Sequence, residues 1–386
     1  KTEDWRFTSV ANLLKVPFEP ASEAHVDARA LPALSTPTAI RLVFVNGVFA
    51  PGLGSKDASA QGVEIGNLGA VRGEPARRLD LVLGLADYKG QVFTALNTSF
   101  LRDGAYIVVP EGKVIEEPIE VIYLSAPAGK TIVTHPRTVV VAGKGSRITV
   151  LEHYLEDTGT AVSGTYFTNA VTEIAVGENA LVDHYKVQNE SRQAYHIAGT
   201  QVVQARAGQF STHYLSLGGG LVRNEVRVRF DGEGCEATVN GLYLAGGKQH
   251  IDNYTVIDHA KPHCNSHELY KGILNDQAHG VFNGKIFVRP DAQKTDAKQT
   301  NKVLLLSDSA TINTKPQLEI FADDVKCTHG ATVGQLDAES IFYLRSRGVG
   351  LDEARALLTY AFANDVIGRI KIESLRAWLE NIVMQR

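Results

Sequence analysis

The residues best suited to chemistry lie together in Asp323-Asp324-Val325-Lys326-Cys327-Thr328-His329-Gly330, near the end of a stretch spanning residues 272–337. In an extended strand alternate side chains share a face, so Cys327 and His329 project side by side while Lys326 and Thr328 point the other way. A thiolate and an imidazole aimed at one point suit zinc, copper or iron–sulfur species, and suit magnesium or calcium poorly. The pair is half of a site. A closed tetrahedral centre takes four ligands, so the others must come from elsewhere in the chain, from a cofactor or from another subunit. The same spacing also fits a small buried cysteine beside a hydrogen-bonded core histidine, since free cysteine is among the most buried residue types. Spacing alone leaves both readings open.

Other motifs are weaker. His259, His263, Cys264 and His267 could ligate a metal by composition, but Pro262 and the Asn265-Ser266 pair place them in a turn, where polar residues collect for hydrogen bonding. The turn is the favoured reading. Asp323 and Asp324 invite comparison with the clustered carboxylates of polysaccharide-cleaving β-helix enzymes, yet neighbours on a strand point apart and cannot flank one glycosidic bond. In Gly143-Lys144-Gly145-Ser146, Thr138 stands where a phosphate loop needs its first glycine, which leaves a turn between strands. No G-x-S-x-G, H-E-x-x-H or G-x-G-x-x-G motif occurs in a fitting context, so the commonest hydrolase, zincin and dinucleotide readings fall away.

Composition narrows the classes further. The 386 residues exceed what one core requires, and at about 150 residues per domain they suggest two or three units. Thirty-nine basic against 43 acidic residues give a net charge of −4, which offers no bulk attraction to nucleic acid. Three cysteines, odd in number and widely spaced, argue for a reducing compartment, the cytoplasm or a plastid stroma, rather than a disulfide framework. No run of about 18 apolar residues is present, so no spanning helix is expected. The start at Lys1 rather than methionine leads us to expect a truncated or processed end with an upstream segment missing.

The elements that must position Cys327 and His329 follow from periodicity. Residues 1–38 read as the remnant of a helical segment, with Val10, Leu13 and Leu14 at helical spacing, followed by a linker punctuated by Pro17, Pro20, Pro32 and Pro37. Residues 39–104 form a lead-in segment: a hairpin at Asn46-Gly47, an exposed loop over 50–78 and a helix over 79–97. From 105 to 337 short runs of Val, Ile, Thr and Tyr dominate, and in residues 225–230 Val226, Val228 and Phe230 alternate with Arg227 and Arg229. Gly145, Gly177, Gly208 and Gly234 each introduce such a run at unequal intervals, which suits the stacked coils of a parallel β-helix better than a propeller. Residues 338–386 complete the chain as helices over 339–346, 352–368 and 373–384. They supply a cap for one open end of the solenoid, or an apolar face for a partner, or both.

Several stretches together resemble the SufD branch of the Suf iron–sulfur cluster assembly family: Asp4-Trp5-Arg6-Phe7-Thr8, residues 42–49, 96–104, 109–112, 117–119, 135–137, 270–272, 294–296, 299–301, 316–320, 322–334 and 342–348. They run in the right order across nearly the whole chain. The resemblance implies a mainly β fold, a right-handed parallel β-helix between a short helical amino-terminal segment and a carboxyl-terminal helical domain. It implies a heterodimer with the related SufB and docking of the helical domain on the ATPase SufC, for which Leu357, Leu358, Ala361 and Phe362 are the expected contacts. The family's functional Cys and His fall on Cys327 and His329, with the missing ligands supplied across the SufB interface.

SufB itself fits less well. It carries Glu on both sides of the His, where this chain has Thr328 and Gly330, and a functional Cys near the position of Gln299-Thr300-Asn301. The resemblance leads us to expect that the family's amino-terminal helical domain is mostly absent here. The expectation is therefore a scaffold subunit with no catalytic residue, a transient iron–sulfur cluster shared with SufB and no permanently bound cofactor. A homodimer is possible when the subunit is isolated, its final coils form the SufB-facing edge, and neither nucleic acid nor membrane is a partner. The reading from another class is a stand-alone β-helix enzyme acting on polysaccharide.

Overall fold

Alternation of the kind seen at Val226, Val228 and Phe230 buries one side of each strand, and stacking such strands in register buries the other strands' inner faces in turn. The computed structural model describes residues 3–24, 26–27, 31, 40–55, 62–71, 82–157 and 164–385. Its centre is a β-solenoid of about seven turns built from two parallel sheets, with successive strands passing from one sheet to the other. The first sheet stacks Tyr166–Val176, Tyr195–Gln204, Leu221–Phe230, His250–His259, His279–Val288 and Thr311–Ile320. The second stacks Arg147–Glu156, Leu181–Asn189, Gln209–Ser216, Glu236–Ala245, Asn265–Leu274, Asp296–Leu305 and Lys326–Gly334. Register holds throughout: Arg147, Leu181, Gln209, Glu236, Asn265, Asp296 and Lys326 form one column.

One corner of six successive coils has the same backbone. Gly145, Asn179, Ala207, Gly234, His263 and Lys294, each two residues before a strand of the second sheet, lie in the left-handed region with φ of 63°, 54°, 53°, 70°, 58° and 62°. Glycine adopts this region freely, whereas other residues give up about 1 kcal/mol or more there. This corner underlies the irregular glycine recurrence in the sequence. Gly145 and Gly234 occupy it, Gly177 and Gly208 flank it, and Asn179, Ala207, His263 and Lys294 accept it at some cost. The hairpin of Ile40–Val45 and Val48–Phe49 turns as expected at Asn46 and Gly47, with φ of 51° and 80°.

Three local expectations are corrected. The amino-terminal helix is replaced by 3-10 turns at Glu3–Trp5 and Leu13–Lys15, because Pro17 stops a segment too short to sustain a nucleus; Leu13 is buried and Leu14 lies in solvent. Pro32 and Pro37 lie outside the described residues. Of the helix expected over 79–97, only α1, Val92–Ser99, forms; residues 79–81 are not described, Gly84 takes a φ of 101°, and Asp87 accepts from the Lys89 N–H in a turn. The loop over 50–78 contains a 3-10 turn at Pro51–Leu53 and a short strand at Glu64–Asn67.

A fourth correction matters most. The carboxyl-terminal helices α2 (Ala338–Ser346), α3 (Leu351–Ile367) and α4 (Glu373–Met384) do not cap the end of the solenoid. α3 and α4 lie along the outer face of the second sheet, where Leu151, Val187, Leu215, Leu242, Leu244 and Ile273 meet Ala363, Val366, Ile367, Leu375, Leu379 and Val383, and α2 packs on α3. Outward leucines on neighbouring coils make a stripe that only a long apolar partner can cover, and each such side chain buried is worth about 1.5–3 kcal/mol. Polar ties fix the docking: Lys271 Nζ donates to the Phe362 carbonyl at 2.7 Å and pairs with Asp365, and Lys371 Nζ reaches Asp183 at 2.8 Å. Among the described residues nothing covers the end of the solenoid.

Candidate functional site

The strand Lys326–Gly334 is the last of the second sheet and, among the described residues, is paired on one side only. Cys327 stacks on Ala297 and His329 on Gln299, both buried, so the two side chains belong to the inward-facing set of a coil on which no further coil is stacked. They share one face, as the alternation requires, and Lys326 and Thr328 take the other. Their surroundings differ. Cys327 is half-buried against Ile286, Val288, Ala292, Ala297 and Ala322, and burial, with the Asp296 carboxylate adding to it, pushes its thiol up. The thiol form is thereby favoured in the isolated chain. His329 is exposed.

Directly beneath His329 the solenoid interior is polar. Gln299 donates from Nε2 to Glu268 Oε2 at 2.7 Å, and burial raises the Glu268 carboxyl to about 7. Gln299 Oε1 and Glu268 Oε1 have no protein partner. Asn301, the next inward residue, donates to Thr314 Oγ1 of the facing strand at 2.9 Å. In the sequence Gln299 and Asn301 stand out only as part of a stretch that resembles SufD and as neighbours of the position of a SufB cysteine, and Glu268 does not stand out. Their signal lay in register, one and two coils below His329. Among the described residues no group of three or more His, Cys, Asp or Glu could hold a metal ion, so Cys327 and His329 are a half-site that needs further ligands.

The other motifs disperse. His259 is buried and bonds Ser266 Oγ at 2.9 Å, Cys264 faces the interior, and His263 and His267 are exposed. Asp324 pairs with Lys294 in solvent and Asp323 is exposed. On α3, Ala354 and Val366 are buried, Leu357, Leu358 and Phe362 are half-buried and Ala361 is exposed. Leu358 lines a shallow groove with Tyr343 and Leu344 of α2, beside Phe342, which is 75% exposed. Phe362 differs in having Lys271 Nζ 4.3 Å above its ring, and it packs towards the sheet.

Comparison with known proteins places this architecture. The family model for the SUF system FeS cluster assembly SufBD core domain matches residues 124–362, and that for the SufBD protein N-terminal region matches residues 1–121. The chain belongs to the SufBD family. It is 34% identical over 392 residues to the iron–sulfur cluster assembly SufBD family protein slr0076 of Synechocystis sp., covering 100% of this chain and 86% of that protein. It is 34% identical over 379 residues to the iron–sulfur cluster assembly protein SufD of Escherichia coli, covering 97% and 86%, and 31% identical over 392 residues to the chloroplastic protein ABCI7 of Arabidopsis thaliana, covering 99% and 81%. The SufBD core match takes in the stacked coils, the strand with Cys327 and His329, and most of α3. Membership in the SufBD family gives the polysaccharide reading no support. Among the described residues no helix is long and apolar enough to cross a membrane.

Proposed function

We propose that this chain is a non-catalytic, SufD-type scaffold subunit of an iron–sulfur cluster assembly complex, paired with SufB and docked on the SufC ATPase. The observation that carries the reading is the uncovered last coil, which presents Cys327 and His329 at a sheet edge. An unpaired edge strand is a template for a second sheet, so SufB adds its strands there and brings the ligands this chain lacks. The cluster is cargo, held transiently between the subunits by imidazole and thiolate, both suitable ligands for iron. Without SufB the same edge can pair with a second copy of the chain.

SufC is assigned to the outer side of α2 and α3, with Leu357, Leu358 and Ala361 as contacts and Phe362 at the margin. That face is supported by its exposure, since α3 commits Ala363, Val366 and Ile367 to the sheet and α2 packs on α3. ATP-driven movement of SufC then shifts the scaffold subunits relative to each other. The compartment is the cytoplasm, or the stroma in a plastid, as the name of the chloroplastic relative suggests.

The test is to make His329→Ala and Cys327→Ala separately, confirm that each still co-purifies with SufB and SufC, and measure cluster formation in cells. Loss of cluster with an intact complex is the expected result, more severe for His329. Normal cluster yield in the His329 variant would sink the ligand assignment, and failure to form the complex would make the residue an interface contact.

A further inference from the structure

Cys235 and Cys264 play no part in the site above, yet the fold brings them together. Each occupies the same corner position in consecutive coils, following a left-handed residue, Gly234 or His263, and preceding the strand starts Glu236 and Asn265, which pair in register. The Asn265 N–H donates to the Cys235 carbonyl at 2.9 Å. Both side chains turn inward and are fully buried. Both thiols also meet at one acceptor, the Gly232 carbonyl, 3.2 Å from Cys235 Sγ and 3.4 Å from Cys264 Sγ. The neighbouring sulfur favours the thiolate on Cys235 and pushes the Cys264 thiol up. Elsewhere in this column stand Ser146, Ala180, Gly208 and Thr295, residues that fill the corner without any such chemistry.

We propose that Cys235 and Cys264 form an oxidation site, a dithiol that a peroxide converts into a disulfide joining two adjacent coils. Neighbouring strands stack about 4.8 Å apart, within the Cα separation that a disulfide spans. Glu233 and His263, in the turns beside the pair, are exposed and face each other at 3.8 Å. Cys235 thiolate attacks one peroxide oxygen, the O–O bond breaks, and a sulfenic acid forms as the other oxygen leaves as water or alcohol after taking up a proton. Cys264 sulfur then attacks the sulfenic sulfur. The S–S bond forms, the S–O bond breaks, and the departing hydroxide takes the Cys264 proton and leaves as water. Two electrons pass from the sulfurs to the peroxide.

The experiment uses the whole chain carrying Cys327→Ser, so that only these two thiols can react. After hydrogen peroxide, unfolding and alkylation without reductant, the protein should have lost two hydrogen atoms, take up no alkylating reagent and give one intramolecular peptide pair joined through Cys235 and Cys264. Dithiothreitol should restore two alkylatable thiols. Cys264→Ala, which repeats in this coil what Ala180 provides in another, should abolish the linked pair. Two thiols that remain alkylatable after peroxide, separate sulfinic acids on the two residues, or links only between molecules would each overturn the proposal. A peptide map of the parent chain decides the same question without any substitution at the corner.

Discussion

His329 and Cys327 differ in what the fold asks of them. His329 projects from an edge strand into solvent, so His329→Ala should change stability by no more than about 0.5 kcal/mol, whereas Cys327→Ala removes a half-buried sulfur and should cost about 1 kcal/mol. Denaturant unfolding of the two variants checks this, and a large loss for His329→Ala would mark it as a packing residue. The shared face of the two residues was legible because a strand's period is fixed by backbone geometry. The floor beneath them was not. Glu268 and Gln299 sit below His329 through pairings roughly 30 residues apart, and coil length varies with each turn, so no local pattern announces the column.

Edges and faces decide what the elements can do. The Lys326 N–H bonds inward to the Thr295 carbonyl at 2.8 Å, so along this strand the N–H groups of Cys327, His329, Ala331 and Val333 point away from the sheet. Ala331→Pro therefore removes an outward donor and leaves the inner ladder intact. It should weaken association at this edge without lowering the melting temperature, as sedimentation and thermal unfolding would show; unchanged association would place the interface elsewhere. On the helices, Leu375 is buried against the sheet and Leu358 is half-exposed. Leu375→Ala should cost about 2–5 kcal/mol, while Leu358→Glu should leave the fold intact and abolish capture of SufC in co-purification. Capture by the Leu358 variant would exclude that groove. Phe362 is the poorer probe, since its carbonyl and ring both engage Lys271. The hairpin at Asn46 was readable because the turn itself demands positive φ. The docking of the helices was not, because an amphipathic stripe does not say which surface it covers.

Across the whole molecule, burial of histidines sets the pH response. His153 is held down to about 3, and His213 and His259 to about 4, against about 6.5 for an unfolded chain. Between those values the unfolded state binds protons that the fold refuses. Stability is therefore full above about pH 6.5 and falls with pH by about 1.4 kcal/mol per unit for each ring. His135 and His250, also held down to about 4 by burial, add to the effect, while Glu268, raised to about 7, acts in the opposite sense and offsets one ring. The melting temperature should drop steeply from pH 6.5 to 4.5, and a flat profile would contradict neutral buried rings. The solenoid class was legible from strand density and unequal glycine spacing, because each coil repeats a backbone rather than a sequence. The helices laid along its flank have a mechanical consequence. They splint every coil of the second sheet from Arg147–Glu156 to Asp296–Leu305, and the splint stops one strand short of the end. The coil bearing Cys327 and His329 is thus free to fray while the rest of the rod stays stiff, and its amides should exchange with solvent deuterium well before those of the splinted strands.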